Sequence, residues 1–152
     1  KKMGRVFFNT RYNMHKILAD YQCLASDSGK VFLCNPTATA ALTMPALSDA
    51  QEGWHCKVVI TEDTDGSVGG MNQILNVDFG SGNDVVGLIV SQSDVAGDYA
   101  VNNDDFINFT AAASPGDMVD IFTDGNRWYV HGMAVDATPG TGDVLFHTAA
   151  AS

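Results

Sequence analysis

The rhythm of the chain from Tyr21 onward constrains its fold most strongly. Short apolar runs alternate with clusters of Gly, Asp, Asn and Pro. Many short runs, each bounded by turn residues, build a sandwich or a barrel. No helical period extends beyond a turn or two, and the best helix candidate is Ala46–Gln51. The cleanest strand is Trp54–Thr61. Trp54, Cys56, Val58 and Ile60 share one face of it, and His55, Lys57, Val59 and Thr61 share the other. Further strands are predicted at Val31–Cys34, Ala41–Met44, Gln73–Val77, Val85–Ser91, Phe106–Thr110 and Val144–His147.

The pair Met118–Thr123 and Arg127–Gly132 flanks Asp124-Gly125-Asn126. Asp-Gly between two β-rich runs is a strong hairpin signal. Trp128 and Val130 then share one face, with Arg127, Tyr129 and His131 on the other. Turns are predicted at Asp27-Ser28-Gly29, Glu62–Gly70 and around Pro139, Gly140 and Gly142. The expected fold class is all-β, an antiparallel β-sandwich or small barrel of jelly-roll or tulip-like form, with an extended N-terminal arm. Trp54 and Trp128 are its expected structural core.

At 152 residues the chain has the size of one domain. No stretch approaches the roughly 20 apolar residues of a membrane helix, and no basic-then-apolar leader opens the sequence. Neither a membrane partner nor a secretory signal is expected. Residues 1–19 read as a basic arm and 20–152 as the sandwich body. A short strand at Arg5–Phe8, added to another sheet, is one way for the arm to pack.

Charge separates the two parts. The net charge is -10, yet Lys1, Lys2, Arg5, Arg11 and Lys16 are five of the eight basic residues, and no acid precedes Asp20. The remainder holds three basic residues against 18 acidic ones. A body this acidic repels phosphates, so no nucleic-acid partner is expected for it. The arm alone could bind an acidic surface, on nucleic acid or on a protein.

Cys23, Cys34 and Cys56 are an odd number and form no C-x-x-C pair. They read as buried free thiols of a chain made in a reducing cytosol.

Motifs that would carry chemistry are weak. Gly80-Ser81-Gly82-Asn83-Asp84, echoed by Gly140-Thr141-Gly142-Asp143, has the look of calcium-binding β-roll units, but those need tandem stacking. Asp63-Thr64-Asp65-Gly66 opens like an EF-hand loop, yet its twelfth position holds no acid but Ile74. His15, His55, His131 and His147 show no metal-ligand spacing. Asp104 and Asp105 are adjacent, read as a solvated turn, and cannot pair across one strand face. Asn108-Phe109-Thr110 is a formal glycosylation sequon, without meaning outside a secretory path. No nucleophile elbow, Walker loop or dinucleotide fingerprint occurs. No enzyme activity, cofactor or metal is expected.

One resemblance goes further. The run Tyr21–Phe32, the element Leu42–Ala46, the strand start Gly53-Trp54, and the closing series Gly116-Asp117, Asp124-Gly125, Trp128-Tyr129-Val130 and Gly132 follow one another in order. This layout resembles a β domain recurrent in virion proteins of tailed bacteriophages, found in head decoration proteins and in tail-fibre or spike domains alike. It covers about residues 21–132, and its motifs are turn and core signatures.

The resemblance implies a capsid decoration, or cement, protein. Such a protein is made in the host cytoplasm and sits as a homotrimer on the outer head surface of the virion. There it clamps adjacent subunits of the major capsid protein. Lys1, Lys2, Arg5, Val6, Phe7, Phe8 and Arg11 are the expected capsid-binding residues, cationic and apolar together. The alternative is a receptor- or glycan-binding domain of a tail fibre or spike, for which Tyr129 and His131 are the candidate residues.

Overall fold

The computed structural model describes residues 13–61, 73–83, 85–91, 98–99, 104–135 and 144–148. The strands are β1 (Asn13–Ile17), β2 (Tyr21–Gln22), β3 (Lys30–Cys34), β4 (Ala40–Thr43), β5 (His55–Ile60) and β6 (Leu75–Asp78). They continue with β7 (Val85–Ser91), β8 (Asp98–Tyr99), β9 (Phe106–Phe109), β10 (Met118–Thr123), β11 (Trp128–Ala134) and β12 (Val144–His147). One turn of helix, α1 (Leu47–Ala50), lies between β4 and β5. No helix among the described residues is long and apolar enough to cross a membrane.

Two sheets pack as a sandwich. The larger, sheet A, has the order β1-β3-β5-β10-β11-β7-β8, and the smaller, sheet B, has the order β12-β9-β6-β4-β2. The all-β sandwich expected from the sequence is present, but both sheets are mixed. The pairs β1·β3, β3·β5, β7·β11, β2·β4 and β4·β6 are parallel. The cause is the path of the chain. From β1 to β6 it alternates between sheets, one strand in A and the next in B. Each return to a sheet lays the new strand beside, and parallel to, the one placed two steps earlier. This is a crossover through the opposite sheet, in place of the helix that usually joins parallel strands. The antiparallel pairings come later, chiefly β10 between β5 and β11.

The arm boundary also moves. Residues 13–17, placed in the arm by sequence, form β1 in register with β3, from Asn13↔Lys30 to Ile17↔Cys34. Ile17 is buried in the common core. The stretch lacks a clean apolar alternation because β1 is an edge strand with one inward anchor.

The core lies between the sheets. Phe32, Val58, Ile121 and Val130 enter it from sheet A, and Leu42, Leu75, Val77, Ile107 and Phe109 from sheet B. Trp54 and Trp128 meet edge to face at 5.5 Å, with Phe79 at 5.8 Å from Trp128. The Trp54 indole N–H donates to the Leu24 carbonyl at 3.2 Å. The alternation predicted for Trp54–Thr61 holds, with Trp54, Cys56, Val58 and Ile60 all buried.

The hairpin forms as its sequence demands. Gly125 takes φ +87°, a region L side chains avoid. The Asp124 carboxylate accepts from the amides of Asn126 at 2.8 Å and Arg127 at 3.0 Å. Gly29 likewise closes the 27–29 turn at φ +83°. Asp117, fully buried, accepts from the amides of Ser114 and Val135, each at 2.7 Å, and ties the entry of β10 to the exit of β11.

Candidate interaction surface

A sheet that packs on one side has a second face to dispose of. The outward positions of sheet A form three cross-strand rows. The first runs Leu33, Val59, Met118, Met133, Val90 across five strands, each residue in register with the next. The second runs Val31, Lys57, Asp120, His131, Leu88, and the third His55, Phe122, Tyr129, Val86. Phe122, Met133, Val86, Leu88 and Val90 are each more than 40% exposed. Soluble monomers seldom show so much contiguous apolar surface.

Charge on this face is sparse and self-neutralising. Lys57 Nζ lies 3.0 and 3.1 Å from the two carboxylate oxygens of Asp120. Beside this pair a shallow groove of about 350 Å³ is lined by Lys30, His55, Lys57, Asp120 and Phe122 among others. Tyr129 stacks on Phe122 at 5.1 Å and 13°, and its hydroxyl donates to Asp124 Oδ2 at 3.0 Å. That hydrogen bond holds the Tyr129 phenol above its ordinary range. The amides of Asn126 and Arg127, with the Tyr129 hydroxyl, hold Asp124 below the usual carboxylate range.

A second, larger groove of about 780 Å³ opens at one end of the sandwich, beside α1. Gln22, Thr43, Ser48 and Asp49 line it above Met44 and Phe79. The Gln22 side-chain amide donates to the carbonyls of Cys23, Thr43 and Met44. That amide therefore serves the β2–β4 edge.

Between β2 and β3 sits a buried charge network. Asp27 accepts from Lys30 Nζ at 2.6 Å, from the Leu24 amide at 2.8 Å and from the Tyr21 hydroxyl at 3.1 Å. Burial alone would raise the Asp27 carboxyl, but these three donors outweigh it and hold it below the usual carboxylate range. The network braces the strap that leads from sheet B to sheet A.

The residues proposed from sequence fall into three groups. Lys1, Lys2, Arg5, Val6, Phe7, Phe8 and Arg11 lie outside the described residues, as do Asp63–Gly66, Asp84 and Gly140–Asp143. Trp54 and Trp128 are core residues. Tyr129 and His131 share the outward face of β11, as predicted, within an apolar field that sequence reasoning did not assemble. The missed signal was the second apolar set on strands already identified: Val31 and Leu33, Val86 and Leu88, Met118 and Phe122.

No three His, Cys, Asp or Glu side chains come together as a metal site among the described residues. Asp104, expected in a solvated turn, is buried at the start of β9, while Asp105 Oδ1 accepts from the Gly82 amide. Asn108 of the sequon is buried within β9, closed to a glycosylating enzyme. Cys23, Cys34 and Cys56 are buried free thiols. Burial, aided by the Asp27 charge, pushes the Cys23 thiol up to about 12, and burial carries the other two well above the ordinary value.

No protein-family model matches this chain, and a search of curated proteins finds no match either.

Proposed function

We propose that this protein is a capsid decoration protein of a tailed phage. It would act as a homotrimer on the outer head surface and clamp adjacent subunits of the major capsid protein. The observation that carries this reading is the segregation of charge along the chain. Five of eight basic residues fall in the first 16, ahead of a body with 18 acids. The sequence resemblance to phage virion β domains supports it, as does a sandwich whose outstanding surface is apolar.

In this reading the basic segment docks on an acidic capsid surface. Lys1, Lys2, Arg5 and Arg11 supply attraction, and Val6, Phe7 and Phe8 supply apolar contact. Stabilisation is purely energetic. Each bound oligomer links several subunits, and its several attachments make release slow.

The test has two parts. Quantitative mass spectrometry of purified particles measures the copy number of this chain against the major capsid protein. A near-stoichiometric ratio is expected, whereas a handful of copies per particle moves the assignment to a tail fibre or spike. Deletion of residues 1–12 should then abolish binding to heads while the body still melts cooperatively. Retained binding would remove the segment from the interface. The deletion must stop before Asn13, because removing β1 would take Ile17 from the core.

A further inference from the structure

We infer that the outer face of sheet A is the surface by which copies of this chain pack against one another. The occupant is a second copy, seated over the apolar rows centred on Met133, Phe122 and Leu88.

Size supports this. Strands lie about 4.8 Å apart and rise about 3.3 Å per residue, so a face of this width and strand length spans roughly 30 by 20 Å. That is about 600 Å² in projection, against about 800 Å² per partner in a standard stable interface. The face therefore supplies most of what a stable self-contact needs, without an added element.

Charge decides in favour of self. The chain carries -10, so two copies repel each other wherever carboxylates meet. Asp120 is the one acid among the outward residues of the three rows, and Lys57 neutralises it at 3.0 Å. Lys16, in register with Leu33, extends the first row at the β1 edge as a further cation. Two acidic molecules can approach through the three rows without setting carboxylate against carboxylate, with Asp124, against the Tyr129 hydroxyl, left at their rim. A partner drawn by the net charge of this chain would be basic and would seek the acidic surfaces instead.

The composition matches an interface core. Phe122 and Tyr129 are already stacked, so little side-chain freedom remains to be lost there on association. Met118 and Met133 are unbranched and adaptable, suited to fill gaps against an imperfectly matched surface. The inference shares the oligomer with the functional reading above and does not depend on the capsid.

The test is sedimentation or light scattering of the full chain across nanomolar to hundred-micromolar concentration. The wild type should be oligomeric in the micromolar range. The double variant Leu88→Lys, Met133→Lys should weaken association on the order of a hundredfold or more, because each lysine would be buried unpaired. Lysine lowers the net negative charge, so dissociation cannot come from added long-range repulsion. Leu24→Lys, at an exposed apolar residue of the end groove, is the control and should leave the oligomer intact. Val86→Lys repeats the test if the double variant fails to fold. A monomeric wild type over the whole range, or oligomers that persist in the face variants, would overturn the inference. Binding to heads is scored separately, so an oligomer that ignores capsids would overturn only the functional reading.

Discussion

The two outer faces of the sandwich follow opposite rules. That of sheet A is apolar and open, with Phe122, Met133 and Leu88 all half-exposed. That of sheet B is more polar, with Ala41, Phe106 and Leu145 as its apolar positions, and is partly closed. Asn76 and Asn108, in register on β6 and β9, are both buried, and Gln22, Thr43 and Asp78 surround them on neighbouring outward positions. Ordinary logic for a sandwich puts polar residues outside and leaves them wet. Here Asn76 and Asn108 are buried, while Phe122, Met133 and Leu88 are exposed. Their burial comes with folding, so Asn76 and Asn108 on the outside of sheet B are committed to the fold. Exposed apolar area contributes nothing to folding until something covers it, so the outside of sheet A is committed to a contact.

Charge substitution should separate the faces most sharply. Asn108→Asp puts a carboxylate in a buried site built for an amide and should cost about 3 kcal/mol or more in chemical denaturation. Leu88→Lys, measured at concentrations where the chain is monomeric, should change stability by no more than about 0.5 kcal/mol. Similar losses at both sites would mean that the face of sheet A belongs to the fold as well. A finer contrast runs along β11 itself. A Cβ on Gly132 would lie 2.8 Å from Val119 Cγ1 and 3.0 Å from Ile89 Cγ1. Gly132→Ala should therefore cost about 1–3 kcal/mol by overpacking. Met133→Ala, one residue on and facing out, should leave the monomer nearly unchanged.

The strap between the sheets gives a pH signature. Asp27 has a lowered folded-state value, so its contribution is present above the unfolded carboxylate value near 4 and is lost as pH falls through the folded one. Asp27→Asn should cost about 1–2 kcal/mol at pH 7. The gap between variant and wild type should close as the solution is acidified below about pH 4. A gap independent of pH would show that the network acts through packing alone.

Much of this was legible in the sequence where a single strand reports on itself. The boundaries of β7, β10 and β12 follow from apolar runs, and the inward face of β5 follows from its period of two. The hairpin follows from Asp124-Gly125. Pairing was not legible, because it belongs to two strands at once. Nothing in Val31–Cys34 shows that β1 and β5 flank it in parallel, since the intervening chain visits the other sheet. For the same reason the apolar face of sheet A escaped notice. Each strand shows one to three outward apolar residues, ordinary by themselves, and only register joins Leu33 to Val90 in one row. Asn76 and Asn108 are the converse case, because a polar residue in a strand carries no sign of its burial until a covering layer is known.

The smallest expected effect lies at the rim of the exposed face. The Tyr129 hydroxyl donates to Asp124, and this hydrogen bond raises the phenol. Ultraviolet titration should therefore find Tyr129 ionising above an ordinary tyrosine, and Asp124→Asn should bring it down with the fold intact. Self-association sharpens the measurement. Phe122 stacks on Tyr129 at the centre of the third row, so a second copy seated there would remove the phenol from water. Desolvation disfavours phenolate, so the transition should shift further upward as protein concentration rises. A midpoint that ignores concentration while the protein is oligomeric would place the contact elsewhere. The oligomer would then have to form through a surface that carries its carboxylates with it, and its affinity should rise steeply with salt as their repulsion is screened.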